Sequence, residues 1–136
     1  MSRRLLTLSV LLAVLLLAPL TFAQTVIDLD VKPGSDVNPI NVKSHGSTPF
    51  ALLCSPTFDP ATVDVTTVQL GGVAAVHCAL EDVNADVCLD LVCHVATPAL
   101  GVTCATTELT VTATLLDGVT TVTGTDTVTP VPCKKP

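Results

Sequence analysis

Glu108-Leu-Thr-Val-Thr-Ala-Thr-Leu-Leu-Asp-Gly-Val-Thr-Thr-Val-Thr-Gly-Thr-Asp-Thr-Val128 carries the clearest structural pattern in the chain. Two runs, Glu108 to Leu116 and Val119 to Val128, alternate Val or Leu with Thr, and Asp117-Gly118 joins them. Successive side chains of a strand point to opposite faces, so alternation with a period of two signals a half-buried strand. Asp-Gly between two such runs is the strongest short-range hairpin signal. Pairing Leu116 with Val119 puts Val111, Ala113, Leu115 and Val122 on one face. Thr112, Thr114, Thr121 and Thr123 share the other, which suits water.

The rest of the chain reads as shorter pieces of the same kind. Thr25 to Val31 sets Ile27, Leu29 and Val31 on one face and Val26, Asp28 and Asp30 on the other. Lys32-Pro-Gly-Ser-Asp36 and Asn38-Pro39 are turns. Ser47 to Cys54 carries Phe50-Ala-Leu-Leu53, an apolar run fit for a buried strand that Ser55-Pro56 stops. Thr62 to Leu70 is rich in Val and Thr, whose branched side chains pack well on a pleated surface. Gly71-Gly72 breaks it, and Ala74 to Leu80 and Leu89 to Val95 follow as two further strands. No stretch after residue 23 has a helical period with caps. About seven short strands at this spacing predict an all-β protein, a single antiparallel Ig-like β-sandwich.

The first 23 residues read as a cleaved signal peptide. Arg3 and Arg4 supply charge, Leu5 to Leu17 is an apolar core too short to span a bilayer comfortably, and Thr21-Phe22-Ala23 offers small residues at the cleavage site. The mature chain is then a secreted domain over residues 24–136, with no membrane span, placed outside the cell or at its surface. Losing Arg3 and Arg4 leaves four lysines against twelve carboxylates, a net charge of −8 in place of −6. With no basic patch, nucleic acid is not expected as a partner.

All six cysteines, Cys54, Cys78, Cys88, Cys93, Cys104 and Cys133, lie in that domain. An even number in a small secreted chain predicts disulfides, although sequence does not choose among the 15 connectivities. Covalent staples suit a chain with three Phe and neither Trp nor Tyr, which has little aromatic area to bury. If Leu80 lies opposite Leu91, Cys78 faces Cys93.

The acidic stretch Glu81-Asp-Val-Asn-Ala-Asp-Val-Cys-Leu-Asp90 is the candidate site. Asp82, Asn84, Asp86 and Asp90 stand at positions 1, 3, 5 and 9 of a calcium-type loop, where alternate side chains turn oxygens inward onto a hard cation. The run resembles the calcium loops of dockerins, thrombospondin type-3 repeats and integrin propeller blades. It departs from them at position 6, where Val87 replaces the Gly of a sharp turn, and Cys93 at position 12 excludes an EF-hand. The competing reading is a solvated turn in which Asp and Asn bond nearby backbone.

The order of motifs also resembles an uncharacterised secreted bacterial β-domain family with a Val-Asp-Ile-Lys-Pro-Gly-Ser-type signature. Here that signature is Ile27 to Ser35, continued by Asn38-Pro39-Ile40-Asn41. Phe58-Asp59, Val63-Asp64 and Thr67-Val68 match a second segment, and Leu80 to Val92 matches Leu-Glu-Asp-Val-Asn-Gly-Asp-Gly-x-x-Asp-Leu-Val. Thr107-Glu108 and the Asp117-Gly118 hairpin complete it. The resemblance implies a secreted β-domain and brings no activity with it. Ala85 and Val87 replace two glycines usual in that family's loop, and the six cysteines are an addition.

Other chemistry is weakly supported. His45 sits in a polar turn, and no Gly-x-Ser-x-Gly elbow accompanies His45, His77 or His94. His77-Cys78, Cys88 and Cys93-His94 have zinc-ligand types, but neighbours in a strand face opposite ways and secretion favours oxidation. The expected function is a non-catalytic, disulfide-stabilised structural or binding module whose partner is an extracellular protein or glycan. One alternative is a calcium-dependent binding module using the Asp82–Asp90 loop. The other is a small secreted hydrolase or a protease inhibitor presenting the region Cys93 to Cys104 around Pro98.

Overall fold

A computed structural model describes residues 24–134. The expected signal peptide, residues 1–23, lies outside the described residues. The strands are short: β1 (Gln24–Val26), β2 (Leu29–Val31), β3 (Pro39–Asn41), β4 (Ser47–Leu52), β5 (Gln69–Leu70) and β6 (Val73–Ala74). They continue with β7 (His77–Glu81), β8 (Asp90–Ala96), β9 (Glu108–Thr114), β10 (Thr121–Thr127) and β11 (Thr129–Val131). Single 3-10 turns at Pro60–Thr62, Val65–Thr67 and Thr97–Leu100 supply the helical residues described. The chain is all-β.

One sheet runs β1-β10-β9-β5-β6, another β2-β4-β8-β7, and β11 pairs with β3 in a small third. The inward residues of the two large sheets form one cluster. Leu70, Leu109, Val111, Ala113 and Val122 come from the first, and Val31, Phe50, Leu52, Leu91, Cys93 and Val95 from the second. Burying each Val, Leu or Phe among them is worth about 1.5–3 kcal/mol, and Phe50 is the largest fully buried one.

The decisive hairpin keeps its expected register: Val122 pairs with Ala113 and Thr121 with Thr114. Val111, Ala113 and Val122 are buried, and the Thr110 and Thr125 hydroxyls bond across the outer face at 3.0 Å. Its turn is wider than two residues. The Leu115 N–H donates to the Thr120 carbonyl at 2.8 Å, and the Asp117 carboxylate accepts the Val119 and Thr120 N–H groups.

Four expectations need correction. The single strand expected over Thr25 to Val31 is two: β1 runs parallel to β10, and β2 runs antiparallel to β4 in the other sheet. Ile27 between them is buried and donates its N–H to the Thr123 carbonyl, so the chain changes sheets while keeping its apolar face inward. The strand expected over Thr62 to Leu70 is reduced to β5 at its end, with 3-10 turns at Pro60–Thr62 and Val65–Thr67 before it. Asp59 and Asp64 accept the N–H groups of Ala61 and Thr66, and such local side-chain bonds compete with the ladder. Ala74 to Leu80 is likewise split, β6 pairing with β5 and β7 with β8. The pairing is not wholly antiparallel, because β11 also runs parallel to β3.

Candidate functional site

The acidic loop joins β7 to β8 at the edge of the four-stranded sheet. Its arms pair with Cys78 opposite Cys93, Leu80 opposite Leu91 and Glu81 opposite Asp90, which is the expected register. Cys78 is bridged to Cys93, with Cα atoms 4.1 Å apart. Cys54 is bridged to Cys88, tying the loop to the end of β4, and Cys104 to Cys133. None of the cysteines is free.

Two of the four expected ligands hold the loop's own backbone. The Asp82 carboxylate accepts the Val87 N–H at 2.9 Å and the Asp86 N–H at 3.3 Å, and Asp86 accepts the Cys88 N–H at 3.0 Å. Partial desolvation pushes the Asp82 carboxyl up, but the N–H groups of Val87, Asp86, Asn84 and Ala85 together outweigh it. They hold it below the ordinary carboxylate range. The chain closes on Asp82 by turning left-handed at Ala85 (φ 58°) and Val87 (φ 69°), the two positions where the resembling loop carries glycine.

Asp90 differs from the others, being fully buried. One oxygen accepts the Cys54 N–H at 2.8 Å and the other the Val83 N–H at 3.1 Å, so it clamps β4 and the loop to the start of β8. Sequence spacing made it a ligand and missed this role. Even so, Asp82, Asp86 and Asp90 bring carboxylate oxygens within 4.8 Å of one another. The Asn84 amide lies between Asp82 and Asp86. With its nitrogen inward it reaches Asp86 Oδ1 at 2.9 Å and Asp82 Oδ1 at 3.1 Å, and with its oxygen inward it joins an all-oxygen set. The loop therefore brings together all four expected side chains. A hard cation is the ligand class such oxygens can take.

A cleft of about 480 Å³ adjoins the loop, which the sequence did not reveal. It is lined by Glu81 and Asp82, by Pro33 and Gly34 of the turn after β2, and by Val92 and His94 of β8. The signature turn and the acidic loop, some fifty residues apart, thus border one cavity. Nearby on β2, burial pushes the Asp30 carboxyl above the ordinary range, reinforced by Asp126, Asp36 and Asp90.

Elsewhere His45 is exposed in its turn. The region Cys93 to Cys104 is not closed by a bridge between its own ends, since its cysteines pair with Cys78 and Cys133. Oxidation also removes the cysteines from the zinc reading. Among the described residues no helix is long and apolar enough to cross a membrane. Compared with known proteins, the chain matches no family model, and neither a curated protein nor a solved structure is similar to it.

Proposed function

We propose that the protein is a non-catalytic secreted module of Ig-like sandwich type, acting as a structural or binding domain at or outside the cell surface. The observation that carries this reading is the use of all six cysteines in three bridges. Such a framework belongs to an oxidising compartment and compensates a small, aromatic-poor core. The resemblance to the secreted β-domain family and the leader-like residues 1–23 support it. Mass spectrometry of the non-reduced protein recovered outside the expressing cell tests it. The expected result is a chain starting at Gln24 with the three linkages above; cytoplasmic retention with free thiols overturns the reading.

A second reading is favoured by the convergence of Asp82, Asn84, Asp86 and Asp90. In it the loop binds calcium, and the ordered ion presents the adjoining cleft to an extracellular protein or glycan. Ion binding to the folded state alone raises the melting midpoint by mass action. Melts in EGTA and in millimolar calcium, repeated on an Asp82→Ala/Asp86→Ala double variant, decide the matter. Asp90 is left intact because it clamps the fold. A rise lost in the variant supports calcium; equal midpoints for the parent protein reject it and leave a self-bonded turn.

A further inference from the structure

The bridging of Cys78 to Cys93 has a consequence on the opposite face of the same strands. Cys93 is buried in the core, so its neighbour His94 points outward, and His77 beside Cys78 does the same. The register that brings the two cysteines together also sets His77 directly opposite His94. Their ring centroids are 5.9 Å apart, with planes inclined at 44°.

We propose that His77 and His94 form a two-imidazole chelate for a borderline divalent transition metal, copper(II) foremost. With metal–nitrogen bonds of about 2.0–2.1 Å, a ring centroid lies roughly 3.2 Å from the ion, so two imidazoles on one ion hold their centroids roughly 4.5 Å apart at a right angle and roughly 5.2 Å at the tetrahedral angle. The observed 5.9 Å is roughly 1 Å longer, a gap that a rotation of the exposed His77 side chain closes. The His94 Nδ1 is shielded from solvent and has no hydrogen-bond partner among the described residues. Buried polar atoms are ordinarily satisfied, and a metal ion is a partner this nitrogen can take. The bridge one residue away locks the register, so little ordering remains to oppose chelation.

The surroundings suit a cation with open coordination positions. His77 is exposed, and His94 lines the cleft that Glu81 and Asp82 border, leaving room for water ligands. The chain is net negative. Imidazole nitrogen selects copper, zinc or nickel over calcium, and copper(II) heads the divalent affinity order. This site uses different residues and a different class of ion from the acidic loop.

Copper(II) titrated into the oxidised protein at neutral pH is expected to bind one equivalent. It should show an EPR spectrum with two imidazole nitrogens in the equatorial plane and raise the melting midpoint by several degrees. His77→Gln, at an exposed position, is expected to melt like the parent without metal, to lose the two-nitrogen signature and to weaken binding about tenfold or more. His45→Ala and the Asp82→Ala/Asp86→Ala variant are expected to keep both the signature and the affinity. Absence of saturable binding overturns the proposal. So does a two-nitrogen signature that survives His77→Gln or that vanishes with His45→Ala.

Discussion

Val87 is the most conspicuous single residue: β-branched, left-handed in φ and 92% exposed. A branched residue in that region stores backbone strain of about 1–3 kcal/mol, and this one recovers almost nothing by burial. Val87→Gly is therefore expected to stabilise the fold by about 1 kcal/mol, after allowing for the greater freedom of glycine in the unfolded chain. The urea midpoint of the purified variant measures it, and a lower midpoint would mean that Val87 makes a contact in solution. Asp30 carries the opposite kind of cost. Burial, then Asp126, Asp36 and Asp90, raise its carboxyl, so the folded state holds the proton more tightly than the unfolded state does. Ionised Asp30 thus opposes folding at neutral pH, and that cost fades as pH falls through its folded value. Asp30→Asn is expected to raise the urea midpoint at pH 7 and to give no advantage below about pH 4. Asp82 and Asp117 act in the other direction, since their lowered carboxyls contribute stability that is present at neutral pH and lost in acid. The convergence of Asp82, Asn84, Asp86 and Asp90 was legible because it is local. The clamp at Asp90 was not, because its partner Cys54 is 36 residues away.

At the scale of elements, β10 and the chain passing from β1 to β2 approach closely at Gly124. A Cβ on Gly124 would sit 2.7 Å from the Ile27 carbonyl oxygen and 3.3 Å from the Leu29 Cβ. Backbone cannot yield as a side chain tip does. Gly124→Ala is expected to cost about 2–3 kcal/mol by chemical denaturation, while Thr125→Ala beside it, exposed and losing its hydroxyl bond to Thr110, costs less than about 1 kcal/mol. An unchanged Gly124→Ala midpoint would show that β1 and β2 do not cross β10 as described. The β9–β10 register could be read from the Val/Thr alternation, because a shift by one residue would turn the apolar face outward. The alternation in Thr25 to Val31 told which face is buried but not that the chain changes sheets there, since both sheets share one core. Thr62 to Leu70 misled for a different reason. Its β-branched composition favours a strand, but Asp59 and Asp64 offer the backbone local bonds that turn it.

For the whole molecule, three bridges close loops of 15, 29 and 34 residues and tie together parts that short strands hold only weakly. Loop-closure entropy puts each at about 3–4 kcal/mol. Cys104→Ser/Cys133→Ser, at positions outside the core, is expected to cost about 3 kcal/mol in guanidinium unfolding. An unchanged midpoint would mean that the segment after β11 is held by other contacts. Sequence alone determined the all-β class, the apolar faces of the clearest strands, the oxidising framework and the acidic loop. Each of these rests on composition or on spacing within a few residues, where the backbone period ties position to face. Only the tertiary structure decided how Cys54, Cys88, Cys104 and Cys133 pair, which strand lies in which sheet, and that the signature turn and the acidic loop border one cleft. Only it set His77 against His94. Those are pairings between distant segments, and the core that selects them is satisfied by many arrangements of the same apolar faces until the whole chain is packed.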